Sequence, residues 1–421
     1  MLKAKDLVRE VAHFIPYTGT AMGGPVVGMA AYVGLLVNAG FSVRVFSVAR
    51  KPDGESIRLD ARVEQVRETG VSWGGFRHGP ALWRQAQTAP IDLVHSHGLW
   101  TDVNRLSADI ARRRGLPHLL APCGMLAPGA LRRHWWKKVP ARLWFQDRAL
   151  REATCLHAKS NKEYEDIRRF GLRNPVAIIA NPIALPSQKH STSEAEFRRT
   201  LQIPETGKML LFLGRLHPVK GLARLLQAWS VLHGTEHWSP PRLAGSPREC
   251  AGSETGSSIR DWRLVLAGPD EGGHRRELEA LLVQLGCQKS VVFAGELDEA
   301  QKWGALKASD LFVMPSNFEN FGNAIVEAMS CAVPVITTTG TPWKELRDAG
   351  AGWWVEPTAE KLTGALRAAL AMPDEQRRAM GARAFQIAER FRPGRVAEDL
   401  IQVYQWLLSG GARPSCVKID R

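Results

Sequence analysis

The sequence lacks the nucleotide-binding motifs that are most easily recognised in α/β proteins. It contains no G-x-G-x-x-G fingerprint and no G-x4-G-K-[ST] loop, so neither a dinucleotide-dependent enzyme nor a P-loop NTPase is supported. It contains no D-x-D pair of carboxylates that could hold a metal ion. No apolar run approaches the roughly 18 residues that a transmembrane helix needs, so no membrane span is predicted.

Cysteines are also few. The six cysteines are scattered, without C-x2-C spacing or a histidine at metal-ligand spacing, so we expect reduced thiols. The segment Met1–Asp6 has no apolar core or cleavage site, so no secretory signal is expected. These features predict a cytoplasmic protein.

The chain does have an excess of positive charge. Lys and Arg number 56 against 42 Asp and Glu, which gives a formal net charge of +14. An anionic partner is therefore expected, and nucleic acid, a nucleotide or an acidic membrane surface would each fit. A chain of 421 residues is too long for one ordinary core, so two α/β domains are predicted.

The most informative stretch is Pro315–Thr338, PSNFENFGNAIVEAMSCAVPVITT. Apolar segments at both ends predict a strand, a loop, a helix and a second strand. Glu319 lies in the loop, and Glu327 lies eight residues later in the helix. Gly322 allows a tight turn, so the first backbone N–H groups of the helix can point at an anion. A sugar nucleotide needs such amides and carboxylates, although two solvated glutamates on a surface helix would show the same spacing.

A second motif follows the strand predicted over Met209–Leu213. It reads Gly-Arg-Leu-His-Pro-Val-Lys-Gly and places Arg215 and Lys220 between a strand and a helix. The guanidinium fork and the ammonium point charge can hold one diphosphate from two sides. We expect Lys220 to be an exposed side chain with little role in packing.

The N-terminal half begins with the same order of elements. A strand is predicted over residues 8–15, followed by the loop Pro16–Gly24, a helix with apolar residues at helical spacing, and the strand Val43–Val48. In nucleotide-binding folds the loop of this unit faces phosphate, and a plain loop is the alternative.

Two histidines, His95 and His97, end another predicted strand, at the edge where open α/β sheets bind ligands. A metal site is the first alternative for an H-x-H pair, but no third ligand lies near in the sequence. We expect His95 to point away from His97 and to be buried.

A basic and aromatic stretch follows, with Arg132, Arg133, Lys137 and Lys138 around a pair of tryptophans. Such residues suit a membrane interface, with the rings at headgroup depth and the cations on anionic lipid. A solvated basic helix whose tryptophans lie in the core fits equally well. Single-stranded nucleic acid could also use this stretch, but no RNP, KH or zinc-finger pattern accompanies it.

The stretch Pro315–Thr338 resembles the E-x7-E signature of retaining glycosyltransferases of family four, and the motif with Arg215 and Lys220 matches the second signature of that family. The resemblance implies the GT-B fold, in which two doubly wound Rossmann-like α/β domains face a central cleft. Where such sequences usually read C-G-V-P-V, this chain reads C-A-V-P-V. We expect the methyl group of Ala332 to require only slightly looser packing between helix and strand.

The resemblance also implies roles for individual residues. Glu319 would contact the donor sugar, Glu327 the nucleotide ribose, and Arg215 and Lys220 the diphosphate. The implied catalytic residues are Glu319, Arg215, Lys220 and His97, which faces the donor sugar near its 6-hydroxyl. The implied donor-binding residues are Gly23, Gly24, Phe321, Gly322, Asn323, Ala324 and Glu327. Neither a metal nor a cofactor is expected.

The implied domains are an N-terminal acceptor-side domain (1–186), a linker (187–207), a donor domain (208–390), a helix crossing back to the first domain (391–409) and a disordered tail (410–421). Residues 234–261, which are rich in Gly, Ser and Pro, are predicted to be a mobile surface insertion.

The sequence thus predicts a retaining, metal-independent hexosyltransferase. It would transfer a sugar from a UDP- or GDP-sugar to a hydroxyl of a glycan or lipid-linked acceptor, in cell-surface polysaccharide or lipopolysaccharide biosynthesis. It would work in the cytoplasm, in peripheral contact with an anionic inner membrane, and without nucleic acid. The alternatives are a GT-B sugar-nucleotide epimerase or phosphorylase, and a basic nucleic-acid-binding protein that would leave both glutamates and both cations unused.

Overall fold

The structure, a computed structural model, describes residues 10–19, 23–49, 56–73, 76–183, 192–204, 206–233 and 259–419. The chain forms two compact units. The first contains Met1–Ile183 and Phe391–Arg421, and the second contains Ala184–Arg390. The predicted insertion over 234–261 lies outside the described residues, apart from a 3₁₀ turn at Ile259–Asp261.

The first unit is built on an eight-stranded sheet. Its strands are β1 (Glu10–Phe14), β2 (Ser42–Ala49), β3 (Glu64–Thr69), β6 (Leu93–His97), β7 (His118–Ala121), β8 (Cys155–Ala158), β9 (Val176–Ile178) and β16 (Val417–Lys418), while β4 (Val71–Trp73) and β5 (Phe76–His78) form a separate pair. The strand order is β16-β9-β8-β7-β6-β1-β2-β3, with β16 antiparallel to β9 and the other neighbours parallel. The order reverses at β1, which pairs with β2 on one side and β6 on the other. Ligand sites of open α/β sheets lie beyond the carboxyl ends of strands at such a reversal.

Helices cover both faces of this sheet. They are α1 (Gly24–Asn38), α2 (Pro80–Thr88), α3 (Asp102–Arg114), α4 (Pro128–Arg132), α5 (Trp135–Ala141), α6 (Asp147–Glu152), α7 (Asn161–Arg169) and α16 (Pro393–Ser409), with a π-helical turn at Arg142–Gln146. Helices α1 and α16 pack together on one face, where Met29 and Val33 join Leu400 and Val403 in one core. Helices α2 and α3 bury their apolar sides in a second core. The C-terminal helix therefore completes the core of the first unit.

The C-terminal tail is ordered where the sequence predicts disorder. Val417 and Lys418 pair antiparallel with Ala177 and Val176 and extend the edge of the sheet. Val417 is buried in the same core as α16. The prediction of a disordered tail over 410–421 is therefore wrong for these residues, because an apolar residue and an unpaired edge strand supply the partners that order them.

The second unit contains a six-stranded sheet in which every neighbouring pair is parallel. Its strands are β10 (Lys208–Leu213), β11 (Trp262–Ala267), β12 (Val291–Gly295), β13 (Leu311–Met314), β14 (Val335–Thr338) and β15 (Gly352–Val355). The strand order is β12-β11-β10-β13-β14-β15, so the reversal here lies between β10 and β13. Both strands are completely buried along most of their length, as expected for a sheet with both faces covered.

The helices of the second unit are α8 (Glu194–Thr200), α9 (Leu222–His233), α10 (His274–Leu285), α11 (Glu299–Ala308), α12 (Asn323–Ser330), α13 (Lys344–Asp348), α14 (Ala359–Leu370) and α15 (Asp374–Ala388). Short 3₁₀ turns occur at Pro218–Lys220, Gln288–Ser290 and Glu389–Phe391. None of the helices in the described part of the chain is both long and apolar enough to cross a membrane.

Helix α8 lies inside the stretch 187–207, which the sequence predicts as a linker. Its first turn is capped by Ser193, whose hydroxyl accepts a hydrogen bond from the Glu196 amide. Phe197 is buried, and Arg198 donates to the Ala308 carbonyl across 2.6 Å. This part of the predicted linker is therefore an element of the second unit, held by contacts with residues more than a hundred positions away that a polar sequence does not reveal.

At Ala332 we expected slightly looser packing between helix and strand, and the structure shows a different effect. Its side chain is exposed, and its backbone has φ of 55°, in the left-handed region that favours glycine. A Cβ atom on Gly381 of α15 would overlap the Ala332 carbonyl oxygen, so the path of this turn is confined by the helix beside it. The alanine therefore strains the backbone, and its exposed side chain is not packed between helix and strand.

We predict that Ala332→Gly raises the free energy of unfolding by about 0.5–1 kcal/mol, because relief of a left-handed alanine outweighs the added freedom of the unfolded chain. Ala371 is a matched control, since it is also exposed at the end of a helix but has φ of −82°. Ala371→Gly should lower the free energy of unfolding. Urea unfolding of both variants measures this, and a loss of stability in Ala332→Gly would contradict the strain.

Candidate active site

The candidate site of the second unit is formed by loops that follow β10, β11, β13 and β14. These loops pack closely through backbone atoms. The amide of Asn317 donates to the Val219 carbonyl across 2.8 Å, and the amide of Glu319 donates to the Gly340 carbonyl across 3.0 Å. A Cβ atom on Gly221, where φ is 72°, would overlap the carbonyl oxygen of Pro315. The reversal of strand order and the close approach at Gly221 thus bring the two sequence motifs to one edge of the sheet. These are the motif with Arg215 and Lys220 and the stretch Pro315–Thr338.

Lys220 and Glu319 form an ion pair that connects the two motifs. The ammonium nitrogen lies 2.6 Å from Oε1 of Glu319, and Ser316 donates to the same oxygen across 2.8 Å. The exposed fractions of the two charged side chains are 14% and 15%. The expectation that Lys220 is exposed is therefore wrong.

Arg215 lies in the same loop but is more exposed, with 40% of its side chain accessible. It forms an ion pair with Glu271, which sequence reasoning did not identify. The amide of Glu271 donates to the Leu216 carbonyl across 3.2 Å, so this loop is attached to the loop of Arg215. Each predicted diphosphate ligand, Arg215 and Lys220, therefore has a carboxylate partner.

The N-terminus of α12 has the predicted turn. Gly322 adopts φ of 86° and precedes the first helical residue, Asn323. Trp343 fixes the turn by donating its indole N–H to the Phe321 carbonyl across 2.6 Å, and Phe321 is 5% exposed. A glycine at this position has no side chain that could cap the helix, so the first amides up to Ala324 are suited to an anion.

Glu327 lies one turn further along α12, on the same face as Asn323. Its Oε1 is 3.0 Å from the ammonium group of Lys302 in α11, and the exposed fraction of Glu327 is 14%. Sequence reasoning missed Lys302, because no local pattern relates it to a residue 25 positions away. The second carboxylate of the signature is therefore also neutralised by a lysine.

In the first unit, the predicted residues Gly23 and Gly24 begin helix α1. Gly23 has φ of 65° and its carbonyl accepts from the amides of Val26 and Val27. Residues 20–22 of the preceding loop lie outside the described part of the chain. The geometry at Gly23 requires a residue that tolerates positive φ.

His97 lies at the carboxyl end of β6, beside β1, and is 1% exposed. The prediction that His95 points away from His97 is wrong, because residues two apart in a strand share a face and these rings are 4.3 Å apart. His13 of β1 lies opposite His95 in register. Nδ1 of His13 is 3.0 Å from Nε2 of His97.

The three histidines also supply the third imidazole that was not found near the H-x-H pair in the sequence. Their nitrogens lie within 4.8 Å of one another, close enough to hold one metal ion. These nitrogens are, however, already hydrogen-bonding partners of each other and of Tyr404. Burial lowers the pKa of His13 to about 3 and the pKa values of His95 and His97 well below the ordinary value, so the rings are neutral at pH 7.

The predicted site residues are thus divided between the two units. Gly23, Gly24 and His97 belong to the first. The second brings together the remaining ones, which are Arg215, Lys220, Glu319, Phe321, Gly322, Asn323, Ala324 and Glu327. It adds Glu271, Lys302, Ser316 and Trp343, which contact them.

Comparison with known proteins identifies the family. The family model described as Glycosyl transferases group 1 matches residues 193–387, and the model described as Glycosyl transferase 4-like domain matches residues 23–182. The D-inositol 3-phosphate glycosyltransferase of Kineococcus radiotolerans is 28% identical over 331 residues, which cover 75% of this chain and 71% of the relative.

Two solved structures show the same fold. The complex of Anabaena Alr3699/HepE with UDP and glucose has a TM-score of 0.69 at 18% identity, and covers 94% of this chain and 99% of its own. WaaG, a glycosyltransferase involved in lipopolysaccharide biosynthesis, has a TM-score of 0.67 at 18% identity, and covers 96% of this chain and 100% of its own. The chain therefore belongs to the group 1 glycosyl transferases, of the family-four type, and has the GT-B fold of two Rossmann-like domains.

Proposed function

We propose that the protein is a retaining glycosyltransferase that transfers a sugar from a UDP- or GDP-sugar to a hydroxyl of a glycan or lipid-linked acceptor, in cell-surface polysaccharide or lipopolysaccharide biosynthesis. The observation that carries the proposal is the ion pair of Lys220 and Glu319 beside the helix α12, whose N-cap residue is Gly322. The similar Anabaena structure, a complex with UDP and glucose, supports a nucleotide sugar as donor.

The site offers each part of a nucleotide sugar a chemically matched group. Arg215, Lys220 and the first amides of α12 suit the diphosphate, because they provide two cations and aligned N–H groups. Glu319 can accept hydrogen bonds from sugar hydroxyls, and Glu327 from the ribose hydroxyls. The diphosphate would take over the cations from their carboxylate partners, which frees those carboxylates for hydroxyl groups.

The proposed reaction keeps the anomeric configuration and uses no metal. The bond between the anomeric carbon and the diphosphate oxygen breaks, and the acceptor oxygen bonds to the same face of that carbon. The departing phosphate oxygen takes the proton of the acceptor hydroxyl. Lys220 and Arg215 stabilise the charge that develops on the diphosphate, which is the role a divalent cation would otherwise have.

The acceptor is proposed to lie at a membrane surface, because the basic aromatic stretch is exposed. Trp135, Trp136 and Trp144 are 62%, 56% and 58% exposed, and Leu143 is 85% exposed. The alternative in which these tryptophans lie in the core is therefore wrong. The stretch also carries exposed basic side chains, namely Arg132, Arg133, Lys137, Arg142 and Arg148.

This combination fits an anionic lipid surface better than water. Apolar side chains exposed to this extent are costly in water, whereas tryptophan and leucine gain energy at the boundary of headgroups and acyl chains. Each nearby Lys or Arg adds about 1 kcal/mol on anionic lipid. The five described cysteines are all free thiols, which is compatible with the reducing cytoplasmic side of a membrane.

We predict that Lys220→Met weakens the binding of UDP and GDP by about tenfold or more, because a charge-assisted contact with the diphosphate is lost. The variant should also be less stable, since it leaves the Glu319 charge without its partner. The double variant Lys220→Met/Glu319→Gln should recover stability but not binding.

Calorimetry and thermal unfolding check this prediction. Lys344→Met is the control, because Lys344 is 62% exposed on α13 and lies outside the site. Recovery of nucleotide binding in the double variant would show that Lys220 acts only through folding.

We predict that the two carboxylates differ in the ligands they affect. Glu327→Gln should weaken binding of a free nucleoside diphosphate and of its nucleotide sugar, because the ribose is common to both. Glu319→Gln should weaken only the nucleotide sugar, and free diphosphate should bind equally or more tightly because Lys220 is no longer neutralised. Calorimetric titration with UDP and UDP-glucose, and with GDP and GDP-mannose, measures this. Equal losses for both ligands in both variants would refute the division of roles.

We predict that the protein sediments with vesicles containing phosphatidylglycerol at low salt. It should be released at about 0.5 M salt, because charges are then screened within a few ångströms. Changing Arg132, Arg133 and Lys137 to Ser should abolish binding at about 0.1 M salt. Lys138 is left unchanged, because its ammonium group donates to the Arg133 carbonyl across 2.7 Å.

A second variant separates apolar insertion from charge. Trp136→Ser together with Leu143→Ser should weaken binding at every salt concentration, because the loss is independent of screening. Val283→Ser is the matched control, since Val283 is 64% exposed on α10 in the second unit. Unchanged sedimentation of the variant at Arg132, Arg133 and Lys137 and of the variant at Trp136 and Leu143 would indicate that the basic aromatic stretch serves a soluble acceptor.

A further inference from the structure

A small pocket in the first unit lies between α3 and the segment from the π-helical turn to α6, and the proposed reaction does not account for it. Its volume is about 70 Å³, several times the roughly 10–15 Å³ that one water molecule needs. Three arginines, two carboxylates and one indole line it, namely Arg105, Arg112, Arg148, Asp109, Glu152 and Trp144. Several guanidinium forks around a small pocket suit a ligand with a compact anionic group.

Arg105 is held in place before any ligand binds. Its Nε donates to Oδ1 of the buried Asp102 across 2.9 Å, and its Nη2 lies 2.8 Å from the same oxygen. Its guanidinium carbon is 4.4 Å from the centre of the Trp83 ring and 4.9 Å from that of Trp144. Because these contacts fix the plane of the fork, little side-chain entropy is lost when it binds a ligand.

One nitrogen of Arg105 remains for a ligand. In the part of the chain that the structure describes, Nη1 has no hydrogen-bond partner, and the side chain is 25% exposed. Asp102 does not depend on Arg105 alone, because its Oδ2 also accepts from Nδ1 of His78 across 2.7 Å and from the indole nitrogen of Trp83 across 2.9 Å. A bound anion could therefore share the guanidinium without leaving the Asp102 carboxylate unsatisfied.

The carboxylates at the pocket do not cancel the charge of its arginines. Asp109 lies 2.7 Å from Arg112 and 3.1 Å from Arg113, so two guanidinium groups share one negative charge. Nε of Arg148 is 4.0 Å from Glu152, and both side chains are exposed, so solvent weakens this pair. The pocket therefore keeps a positive potential toward an incoming anion.

The pocket lies beside the exposed part of the basic aromatic stretch. Trp144 lines the pocket and is exposed, and its neighbour Leu143 is exposed as well. A ligand held by the arginines would therefore have an apolar protein surface next to its anionic group. A phospholipid matches this arrangement, because its phosphate adjoins acyl chains, whereas a free phosphate has no part that could contact Leu143.

We propose that the three arginines of this pocket bind the phosphate group of an anionic phospholipid. Its acyl chains would then lie beside Leu143 and Trp144. A terminal phosphate offers three oxygens to the guanidinium forks and carries more charge than a phosphodiester, so phosphatidic acid should be preferred to phosphatidylglycerol. The contact between this part of the chain and a membrane rests on the proposed function. The pocket adds selectivity for the headgroup, which general attraction to surface charge does not provide.

Sedimentation with vesicles tests the pocket in the full-length protein. The vesicles are phosphatidylcholine with phosphatidic acid, phosphatidylglycerol or dioleoylglycerol succinate, mixed to the same negative surface charge. We expect the tightest binding with phosphatidic acid, and binding weaker by about tenfold with the succinate lipid, whose carboxylate offers only two oxygens. Glycerol 1-phosphate in solution should not displace the protein, because it lacks the acyl chains.

Arg112→Gln together with Arg148→Gln removes two forks from exposed positions in the pocket. Binding to phosphatidic acid vesicles should weaken about tenfold or more, and the preference over the succinate lipid should be lost. Arg113→Gln together with Arg151→Gln is the matched control. It removes the same charge from exposed residues of the same two helices, α3 and α6, and neither residue lines the pocket. This control should keep the preference for phosphatidic acid.

Arg105→Lys keeps the positive charge and removes the fork. We expect this variant to bind vesicles with phosphatidic acid and with the succinate lipid more equally than the wild-type protein does. Thermal unfolding checks that it is folded, and the double variant at Arg112 and Arg148 gives an answer that does not depend on it.

Equal losses in the Arg112/Arg148 and Arg113/Arg151 variants would overturn the proposal, since they would show that binding follows net charge. Displacement by glycerol 1-phosphate would also overturn it and assign the pocket to a soluble phosphate ligand. Equal binding of the wild-type protein to vesicles with and without a lipid phosphate would overturn it and leave the membrane contact intact. If the wild-type protein binds none of the vesicles, the membrane contact of the proposed function fails together with the pocket. Nucleotide-sugar binding, measured without lipid, is unaffected by any of these results.

Discussion

The reversal of strand order within each of the two large sheets is the constraint on which the candidate sites depend. In the first unit β1 has β2 and β6 as neighbours, and in the second unit β10 has β11 and β13. Connections on the two sides of the central strand run over opposite faces of the sheet, so the loops at its carboxyl end diverge and leave space. His13 and His97 lie at this edge of the first sheet, and Lys220 and Glu319 at the same edge of the second.

The position of the side chains at this edge of the sheet also has a consequence for their charge. Side chains at this edge are only partly exposed, and a partly buried charge is costly unless an opposite charge or hydrogen bonds compensate it. In the second unit each charged residue of the signatures has such a partner: Lys220 has Glu319, Glu327 has Lys302, and Arg215 has Glu271. The folded site is therefore electrically balanced. A ligand that carries both phosphate and hydroxyl groups can exchange with these pairs without leaving a charge uncompensated.

In the first unit the buried imidazoles at this edge are neutral, so these side chains bring no buried charge that has to be compensated. Strand β6 is buried along its whole length, yet it reads Leu-Val-His-Ser-His, with polar residues where a parallel strand usually has apolar ones. Burial keeps the imidazoles of His95 and His97 uncharged. The ring of His95 is hydrogen-bonded to Tyr404 and His157, and the ring of His97 is hydrogen-bonded to His13. The helix α16 supplies Tyr404, so the C-terminal residues of the chain complete a polar network that begins in its first strand.

The sequence by itself determined the features that depend on local pattern. Apolar runs of strand length, apolar residues at helical spacing and glycines at turns predicted the order of elements, the two α/β domains and the positions of the two signatures, because these signals lie within a few residues of one another. The turn at Gly322 and the strand–loop–helix order around Glu319 belong to this class.

The tertiary structure decided which distant residues meet. Lys302, Glu271 and His13 lie 25, 56 and 84 residues from the side chains they contact, and strand order, which no local pattern encodes, brings them together. The same holds for the exposure of the tryptophans on α5, for the strand formed by Val417 and Lys418, and for the left-handed backbone of Ala332. Burial and pairing of this kind are properties of the packed chain, and composition and periodicity do not determine them.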